Sequence, residues 1–438
     1  MHNQHYLKEI VKLQKQGIPK GIYSVCSANE YVIEAAMERA LKANEYVLVE
    51  ATANQVNQFG GYTGMRPTDF KNFVYSLATR VGFPLNKIIL GGDHLGPLTW
   101  QNESSNSAME KSRELIRQYV LAGFTKIHID TSMRLADDST DKQLDTEVIA
   151  QRGAILCKEA EEAFAELKKC SADASSLVYI VGSEVPIPGG SQNEEEGVQV
   201  TKVSDFKNTV EEFKKAFSVY GLEPAWEKVI GVVVQPGVEF GDESIHEYNR
   251  EVARDLKEAL KEYPSLVFEG HSTDYQTATA LKQMVEDGIA ILKVGPALTF
   301  ALREGLFALN LIENELFKRD SDVQISNFIN VLEDTMVKNP TYWKNHYHGD
   351  VSKLSLARKY SLSDRCRYYL PSKELRESIK IMMNNLNSVQ IPLTLISEFL
   401  PIQYGKIRNG LLKNTPEEML KDRIINYIDD YMHAVIPS

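Results

Sequence analysis

Residues 87–94 read KIILGGDH, an apolar run that passes through two glycines and ends in an aspartate and a histidine. Seven other short runs share this character, being rich in Val, Ile and Leu and ending in Gly, Pro or a polar residue. They occupy residues 21–26, 46–52, 126–132, 178–184, 229–237, 266–272 and 290–296. Runs of this kind are typical of parallel strands that are buried on both faces.

Segments with helical periodicity separate these runs. One begins at Pro67 and another at Ser204, both residues that favour helix starts. Eight strand–helix units that close on themselves predict an α/β protein with a (β/α)8 TIM barrel. The 276 residues from 21 to 296 are close to the roughly 250 of that fold. An open doubly wound sheet is the alternative, which the absence of a G-x-G-x-x-G fingerprint disfavours.

The pattern changes beyond residue 300. Residues 299–317 fit the eighth barrel helix, and further helical stretches follow at about 372–386 and 415–432. An aromatic and basic loop region at 342–369 precedes them. We therefore predict a TIM barrel at residues 1–318 and a C-terminal helical extension at 319–438 that packs on the barrel.

The composition is that of a globular protein with an acidic balance. The chain has 438 residues, 49 basic and 60 acidic side chains, and a formal net charge of −11. Hydrophobic residues make up 43% and charged residues 25%, as in ordinary globular proteins. Because nucleic-acid binding depends on clustered Lys and Arg, we expect no nucleic-acid partner.

Cysteine usage and the termini indicate an intracellular setting. The four cysteines form no Cys-x-x-Cys pair, which disfavours a disulfide framework or a zinc knuckle. The first residues, MHNQH, do not resemble a secretory signal. No stretch approaches the ~20 apolar residues that cross a bilayer. We expect a cytoplasmic protein without a membrane partner.

Chemically capable side chains stand at the ends of the predicted strands. In a TIM barrel the active site lies at the carboxyl ends of the strands. The concentration of such side chains therefore predicts a functional site at this face. The residues are Cys26, Ser27, Glu50, Asp93, His94, Asp130, Glu184, Gln235, His271, Asp274 and Lys293.

Four of these side chains are candidate ligands of one divalent cation: His94, Glu184, Gln235 and His271. Imidazole and carboxylate together suit zinc, which we prefer, and also manganese or cobalt. The alternative is that the two histidines are buried, hydrogen-bonded side chains. Asp93 is a candidate general acid or base beside the metal, or a residue that orients a ligand.

Glu50 and Asp130 are further catalytic candidates, and each could instead bind a hydroxyl or pair with Lys293. Lys293 is a candidate Schiff-base amine, phosphate binder or ion-pair partner of Glu50, and we favour the last two roles.

Glycine-rich turns at residues 59–64, 188–191 and 295–296 could cradle an anion or be plain tight turns. Two arginines of the extension could also close on a phosphate. The predicted substrate or phosphate binders are Gly190, Ser272, Asp274, Lys293, Gly295, Arg365 and Arg367.

Several long motifs resemble one family. GIYSVCSAN, EATANQVNQFGGYTGM, LGGDHLGP, GSEVPIPGG, EGHSTDYQ, YWKNHYHGD and SDRCRYYLP run in order over nearly the whole chain. They resemble the GatZ/KbaZ family, named as the non-catalytic subunit of class II D-tagatose-1,6-bisphosphate aldolase. The resemblance implies a barrel fold, a role in galactitol or N-acetylgalactosamine catabolism, and a ketohexose phosphate as the metabolite. It also implies a catalytic partner of the GatY/KbaY type, and a homo-oligomer is compatible with it.

The catalytic class II aldolases look like distant relatives, and they carry a His-x-Asp-His strand end. Here Asp93 and His94 fit that pattern, but Gly91 replaces the first histidine. Gln235 stands where these aldolases have a second ligand histidine, and residues 271–274 (HSTD) replace a glycine-containing phosphate turn. The resemblance therefore implies an aldolase site that is partly dismantled.

Two functions follow from these observations. In the first, the chain supports the activity and stability of the catalytic aldolase subunit and needs no cofactor of its own. In the alternative, it is a divalent-metal-dependent epimerase that interconverts fructose 6-phosphate and tagatose 6-phosphate at carbon 4. A kinase of the Walker type is excluded, because no Gly-x-x-x-x-Gly-Lys-Ser/Thr loop is present.

Overall fold

The computed structural model describes residues 5–139, 144–184 and 198–437. The strands within these ranges are β1 (Ile22–Val25), β2 (Val47–Thr52), β3 (Ile88–Leu95), β4 (Lys126–Ile129), β5 (Val178–Val181), β6 (Val229–Val234), β7 (Glu239–Phe240), β8 (Ile245–His246), β9 (Val267–Gly270) and β10 (Ile289–Val294). The α-helices are α1 (Tyr6–Lys15), α2 (Glu30–Ala43), α3 (Pro67–Val81), α4 (Ser105–Ala122), α5 (Thr146–Cys170), α6 (Val203–Val219), α7 (Glu223–Trp226), α8 (Arg254–Leu260), α9 (Ala278–Glu286), α10 (Pro296–Phe317), α11 (Phe328–Lys338), α12 (Val351–Tyr360), α13 (Lys373–Asn387), α14 (Leu393–Phe399), α15 (Pro401–Arg408) and α16 (Pro416–Val435).

Eight of the strands form a closed parallel barrel in the order β1-β10-β9-β6-β5-β4-β3-β2. They are the eight runs read from the sequence, so the predicted TIM barrel is confirmed. The antiparallel pair β7 and β8 was not predicted. Two strands of two residues each are too short to show a periodic pattern, and they belong to the loop that follows β6.

Local signals set several helix boundaries. Pro67 occupies the first position of α3, as predicted, and Gly82 ends the helix in the left-handed region with φ of 72°. Thr277 caps the start of helix α9, since its hydroxyl accepts a hydrogen bond from the main-chain N–H of Ala280 at 3.2 Å. Such caps satisfy donors that the helix itself cannot.

The inside of the barrel is apolar at one end only. Helix α1 contributes three buried side chains to a small core that it shares with residues of the strands. This small core comprises Leu7, Ile10, Val11, Ile22, Leu48, Ile89, Val178, Ile180, Ile230, Val233, Val267, Ala290 and Ile291. The opposite end is therefore left for polar side chains.

The last helix of the chain is part of the barrel wall. Helix α16 packs against α2, α9 and α10. The Gly21 N–H donates to the Val435 carbonyl at 3.0 Å, and the Tyr431 hydroxyl donates to the Thr273 carbonyl at 2.7 Å. The division at residue 318 into barrel and extension stays a prediction. None of the described helices is both long and apolar enough to cross a membrane.

Candidate functional site

A layer of paired charges crosses the barrel interior. Side chains alternate along a strand, so Lys126 and His128 of β4 share its inner face, and both are fully buried. The Lys126 ammonium lies 2.7 Å from Glu50 Oε1 and 2.6 Å from Glu269 Oε2. The Ser24 hydroxyl also donates to Glu50, at 2.6 Å. Buried carboxylates need such partners, because their charge has left water.

Directly beside this layer lies a cation-competent cluster. Asp93, His128, Glu269 and His271 each offer one ligand atom, and these atoms all lie within 4.8 Å of one another. All four residues are buried. Two imidazoles with two carboxylates form a donor set that suits Zn, Mn or Co.

The hydrogen bonds of His128 support this assignment. Its Nδ1 lies 3.0 Å from Asp93 Oδ1, whereas its buried Nε2 has no hydrogen-bond partner among the described residues. The His94 main-chain N–H also donates to this Nδ1, at 3.1 Å, so both hydrogen-bond contacts of the ring are made through Nδ1. An unpartnered buried imidazole nitrogen is costly in a protein interior unless a ligand occupies it.

The second imidazole of the cluster is suited to the same role. His271 Nε2 lies 3.0 Å from Glu269 Oε1. Burial lowers the pKa of His271 to about 4, against the opposing effect of Glu269. His271 is therefore neutral at physiological pH, the form that binds a metal.

His94 borders the cluster without belonging to it. Its ring centroid lies 4.9 Å from that of His271 and 5.2 Å from that of His128. Its Nδ1 lies 2.8 Å from Asp130 Oδ2, and its backbone adopts a φ of +48°. Burial opposes the ionisation of Asp130, but the bond to His94 is among the effects that hold its pKa at about 2. Asp130 thus orients His94 in this structure.

Asp93 and Lys293 form a buried ion pair at the centre of the site. The Lys293 ammonium lies 2.9 Å from Asp93 Oδ1 and 3.0 Å from Glu50 Oε2. Burial opposes both charges, yet the pKa of Asp93 is held well below its usual range by Lys293 and His94. The pKa of Lys293 is raised by Asp93 and the neighbouring acidic groups. Lys293 is therefore an ammonium group and not a free amine at neutral pH, in line with the predicted pairing with Glu50.

A pocket lies above these residues. It is lined by five of the predicted substrate binders: Ser272, Asp274, Lys293, Gly295 and Arg367. Asp93, His94 and His271 line the same pocket. Arg367 comes from the segment that follows α12, and it donates to the main-chain carbonyls of Ser363 and Asp364. The C-terminal part of the chain thus contributes to the mouth of the barrel.

Other predicted residues have different surroundings. The exposed Glu184 accepts a hydrogen bond from the Thr201 hydroxyl at 2.7 Å. The Gln235 amide oxygen accepts from the N–H groups of Gly237 and Val238, at 2.8 and 3.0 Å. The Arg365 guanidinium donates to the carbonyl of Tyr342 at 3.0 Å and does not line the pocket. Gly190 lies outside the described residues.

Three residues of the site were missed in the sequence: Lys126, His128 and Glu269. They stand inside the strands, whereas the prediction considered the strand ends. A charged or imidazole side chain within a run of buried strand character was the available signal, because Lys126 and His128 are two residues apart and so share one face.

Residues 7–436 match the family described as D-tagatose-1,6-bisphosphate aldolase subunit GatZ/KbaZ-like. The chain belongs to this family. The chain is 49% identical over 432 residues to the D-tagatose-1,6-bisphosphate aldolase subunit GatZ of Salmonella agona, which covers 99% of this chain and 100% of that protein. It is 48% identical, with the same coverage, to GatZ of Salmonella typhimurium.

One solved structure is also similar to this chain. It is a probable tagatose 6 phosphate kinase from Sinorhizobium meliloti, 42% identical, with a TM-score of 0.86. The match covers 95% of this chain and 100% of that one. The predicted family resemblance is thereby confirmed, from one end of the chain to the other.

Proposed function

We propose that this chain is the Z-type component of a D-tagatose-1,6-bisphosphate aldolase and acts with a separate catalytic class II subunit. The observation that carries this proposal is the 49% identity to a GatZ subunit over 99% of the chain. We place the complex in the cytoplasm, in the catabolism of ketohexose phosphates. In this role the chain increases the activity and the lifetime of its partner.

Gly91 and Gln235 support the proposal that this chain does not itself cleave the bisphosphate. A Cβ atom at Gly91 would lie 2.7 Å from Glu50 Cγ and 2.9 Å from Cδ. A histidine at this position, as in the catalytic aldolases, would therefore displace the buried Glu50. Gln235 stands at the second ligand position. Its amide oxygen instead stabilises the turn that follows it, by accepting hydrogen bonds from the N–H groups of Gly237 and Val238.

Two measurements on the purified subunits, alone and mixed, test this role: sedimentation velocity, and the decay of cleavage activity with time. We expect one co-sedimenting species in the mixture. We also expect a half-life of cleavage activity several times longer than that of the catalytic subunit alone. Separate sedimentation with an unchanged half-life would rule the role out.

The cation-competent cluster favours a second candidate, a metal-dependent 4-epimerase of fructose 6-phosphate and tagatose 6-phosphate. Asp93, His128, Glu269 and His271 would hold the cation, with zinc preferred and manganese or cobalt as alternatives. A bound divalent cation would polarise the oxygen atoms of the sugar. The ionised Asp93 can accept a hydrogen bond from a sugar hydroxyl, and the Lys293 ammonium can donate one to a sugar oxygen.

NMR of the sugar, with the purified chain alone and added Zn²⁺, Mn²⁺ or Co²⁺, tests the second candidate. We expect tagatose 6-phosphate to appear from fructose 6-phosphate, and to be absent with EDTA or in His128→Asn. The exposed His433 gives the matched control, since His433→Asn leaves the cluster intact. An unchanged sugar spectrum with all three metals excludes this activity. If His128→Asn still stabilises the catalytic subunit, the two roles are separable.

A further inference from the structure

The start of α10 is where a TIM barrel commonly binds phosphate. It follows the last strand directly, and backbone N–H groups at such a helix start point toward an anion. In this chain an internal carboxylate already occupies the position. Asp274 Oδ1 accepts from the N–H of Gly295 at 3.0 Å and from the N–H of Ala297 at 2.8 Å.

The remaining donors of this turn are also engaged. Pro296 has no N–H, and the N–H groups of Leu298 and Thr299 donate to the Gly295 carbonyl at 3.1 and 3.3 Å. Every backbone donor from residue 295 to 299 therefore has an acceptor within the chain or is absent. No N–H of this turn is left for an incoming phosphate.

The charge around Asp274 also opposes a phosphate. Asp274 is 3% exposed, and Glu239 is a second buried carboxyl that acts on it electrostatically. The Ser272 side chain bonds to Glu239. Burial raises the pKa of Asp274 to about 6, while its two backbone hydrogen bonds and the Arg367 charge favour ionisation. A phosphate at this wall would face the Asp274 carboxylate, while the two cations of the pocket are already engaged: Arg367 acts on Asp274, and the Lys293 ammonium pairs with Asp93 and Glu50.

A sugar hydroxyl suits the same wall. Asp274 and Ser272 line the pocket together with Lys293, and carboxylate and hydroxyl oxygens accept hydrogen bonds from a hydroxyl group. We infer that Asp274 is a specificity-determining residue, which makes this pocket accept a sugar end that carries a hydroxyl and reject one that carries a phosphate. The pocket then takes a ketohexose with one phosphate or none, and not a ketohexose 1,6-bisphosphate. Naming a ketohexose as the ligand rests on the proposed function, whereas the exclusion of phosphate does not.

Calorimetric titration with inorganic phosphate tests the exclusion without any sugar. Asp274→Ser removes the carboxylate and frees two N–H groups, so its Kd for phosphate should be at least tenfold lower than that of the wild type. Equal affinities in a folded Asp274→Ser would overturn the inference. Should that variant fail to fold, Asp274→Asn keeps an oxygen for both N–H groups and loses the charge. It should bind phosphate at least threefold more tightly than wild type, and equal binding would again overturn the inference.

The sugar arm compares D-tagatose 6-phosphate with D-tagatose 1,6-bisphosphate. We expect the wild type to bind the monophosphate at least tenfold more tightly, and Asp274→Ser to reduce that ratio. Equal affinity of the wild type for both sugars would overturn the inference. If the wild type binds neither sugar while Asp274→Ser gains phosphate binding, the ketohexose assignment fails and the role of Asp274 stands.

Discussion

At the scale of one residue, His128 shows that the candidate site includes side chains from inside the strands as well as those at the strand ends. Its imidazole lies in the middle of a buried strand run and shares a face with Lys126. It offers a ligand atom within 4.8 Å of those of Asp93, Glu269 and His271, and its buried Nε2 has no hydrogen-bond partner in the described part of the chain. An apolar side chain would fill this space without a desolvation cost. The arrangement is therefore best explained by a ligand that completes it.

Metal content is the first residue-scale prediction. Dialysed against Zn²⁺ and then against buffer, the wild type should retain about one cation per chain, measured by inductively coupled plasma mass spectrometry. His128→Asn removes one of four ligands and should weaken binding at least tenfold, with the fold retained. His433→Asn, at an exposed position, should bind as the wild type does. Equal metal content in all three proteins would refute the cluster as the binding site.

The second residue-scale prediction concerns Lys126, whose ammonium compensates Glu50 and Glu269 in the barrel interior. Lys126→Met leaves two buried carboxylates without this partner, and removing one member of a buried pair costs about 3–5 kcal/mol. Urea denaturation in EDTA measures the loss. Lys261, which pairs with Glu258 at the surface, is the control, because Lys261→Met should not shift the midpoint measurably. A Lys126→Met midpoint equal to that of wild type would contradict the account of the charged layer.

At the scale of elements, one glycine in α5 and one in α15 have different surroundings. The first lies at a close helix–helix contact, and the second has open space beside it. In α5, a Cβ at Gly153 would lie 2.6 Å from Phe213 Cε1 of α6, and Phe213 is fully buried. In α15, a Cβ at Gly405 would meet no atom within 4 Å. The close approach of α5 and α6 therefore requires a glycine, whereas α15 merely tolerates one.

This contrast predicts opposite signs for one substitution. Gly153→Ala should lower the free energy of unfolding by about 1–3 kcal/mol through overpacking. Gly405→Ala should raise it by about 0.5–1 kcal/mol, because alanine is the better helix former. Urea denaturation of both variants checks this, and the same sign for both would show that packing does not set the difference.

At the scale of the whole molecule, α16 joins the end of the chain to the barrel. Its buried side chains, among them Leu420, Ile424 and Ile428, face α2, α9 and α10. A chain that ends at residue 415 would expose those apolar faces to water. We expect the full chain to show a cooperative thermal transition by circular dichroism and this truncated chain to lose it.

A point variant gives the milder form of the same test. Ile428→Ala should cost about 2–5 kcal/mol through the cavity it leaves, whereas Leu411→Ala, at a side chain that is 74% exposed, should leave the melting temperature unchanged. A truncated chain that melts like the full one would show that the barrel is complete without α16.

Sequence patterns were sufficient for the barrel, because each of the eight strands lies in a short run rich in Val, Ile and Leu that ends in Gly, Pro or a polar residue. They were insufficient for the site, because the inward face of a strand depends on register. His271 and Asp93 could be found at strand ends, whereas Glu269 and His128 needed the alternation within the strand. The role of Asp274 could not be read from the sequence, since its contacts with Gly295 and Ala297 join the loop after β9 to the start of α10, 21 and 23 residues further along the chain.

The most direct test of the proposed role is a progress curve of D-tagatose 1,6-bisphosphate cleavage by the catalytic class II subunit, with and without this chain. We predict a higher rate that is sustained for longer when the chain is present, and no cleavage by the chain alone. Identical curves in both mixtures, or cleavage by this chain without its partner, would contradict its assignment as the supporting component of the aldolase.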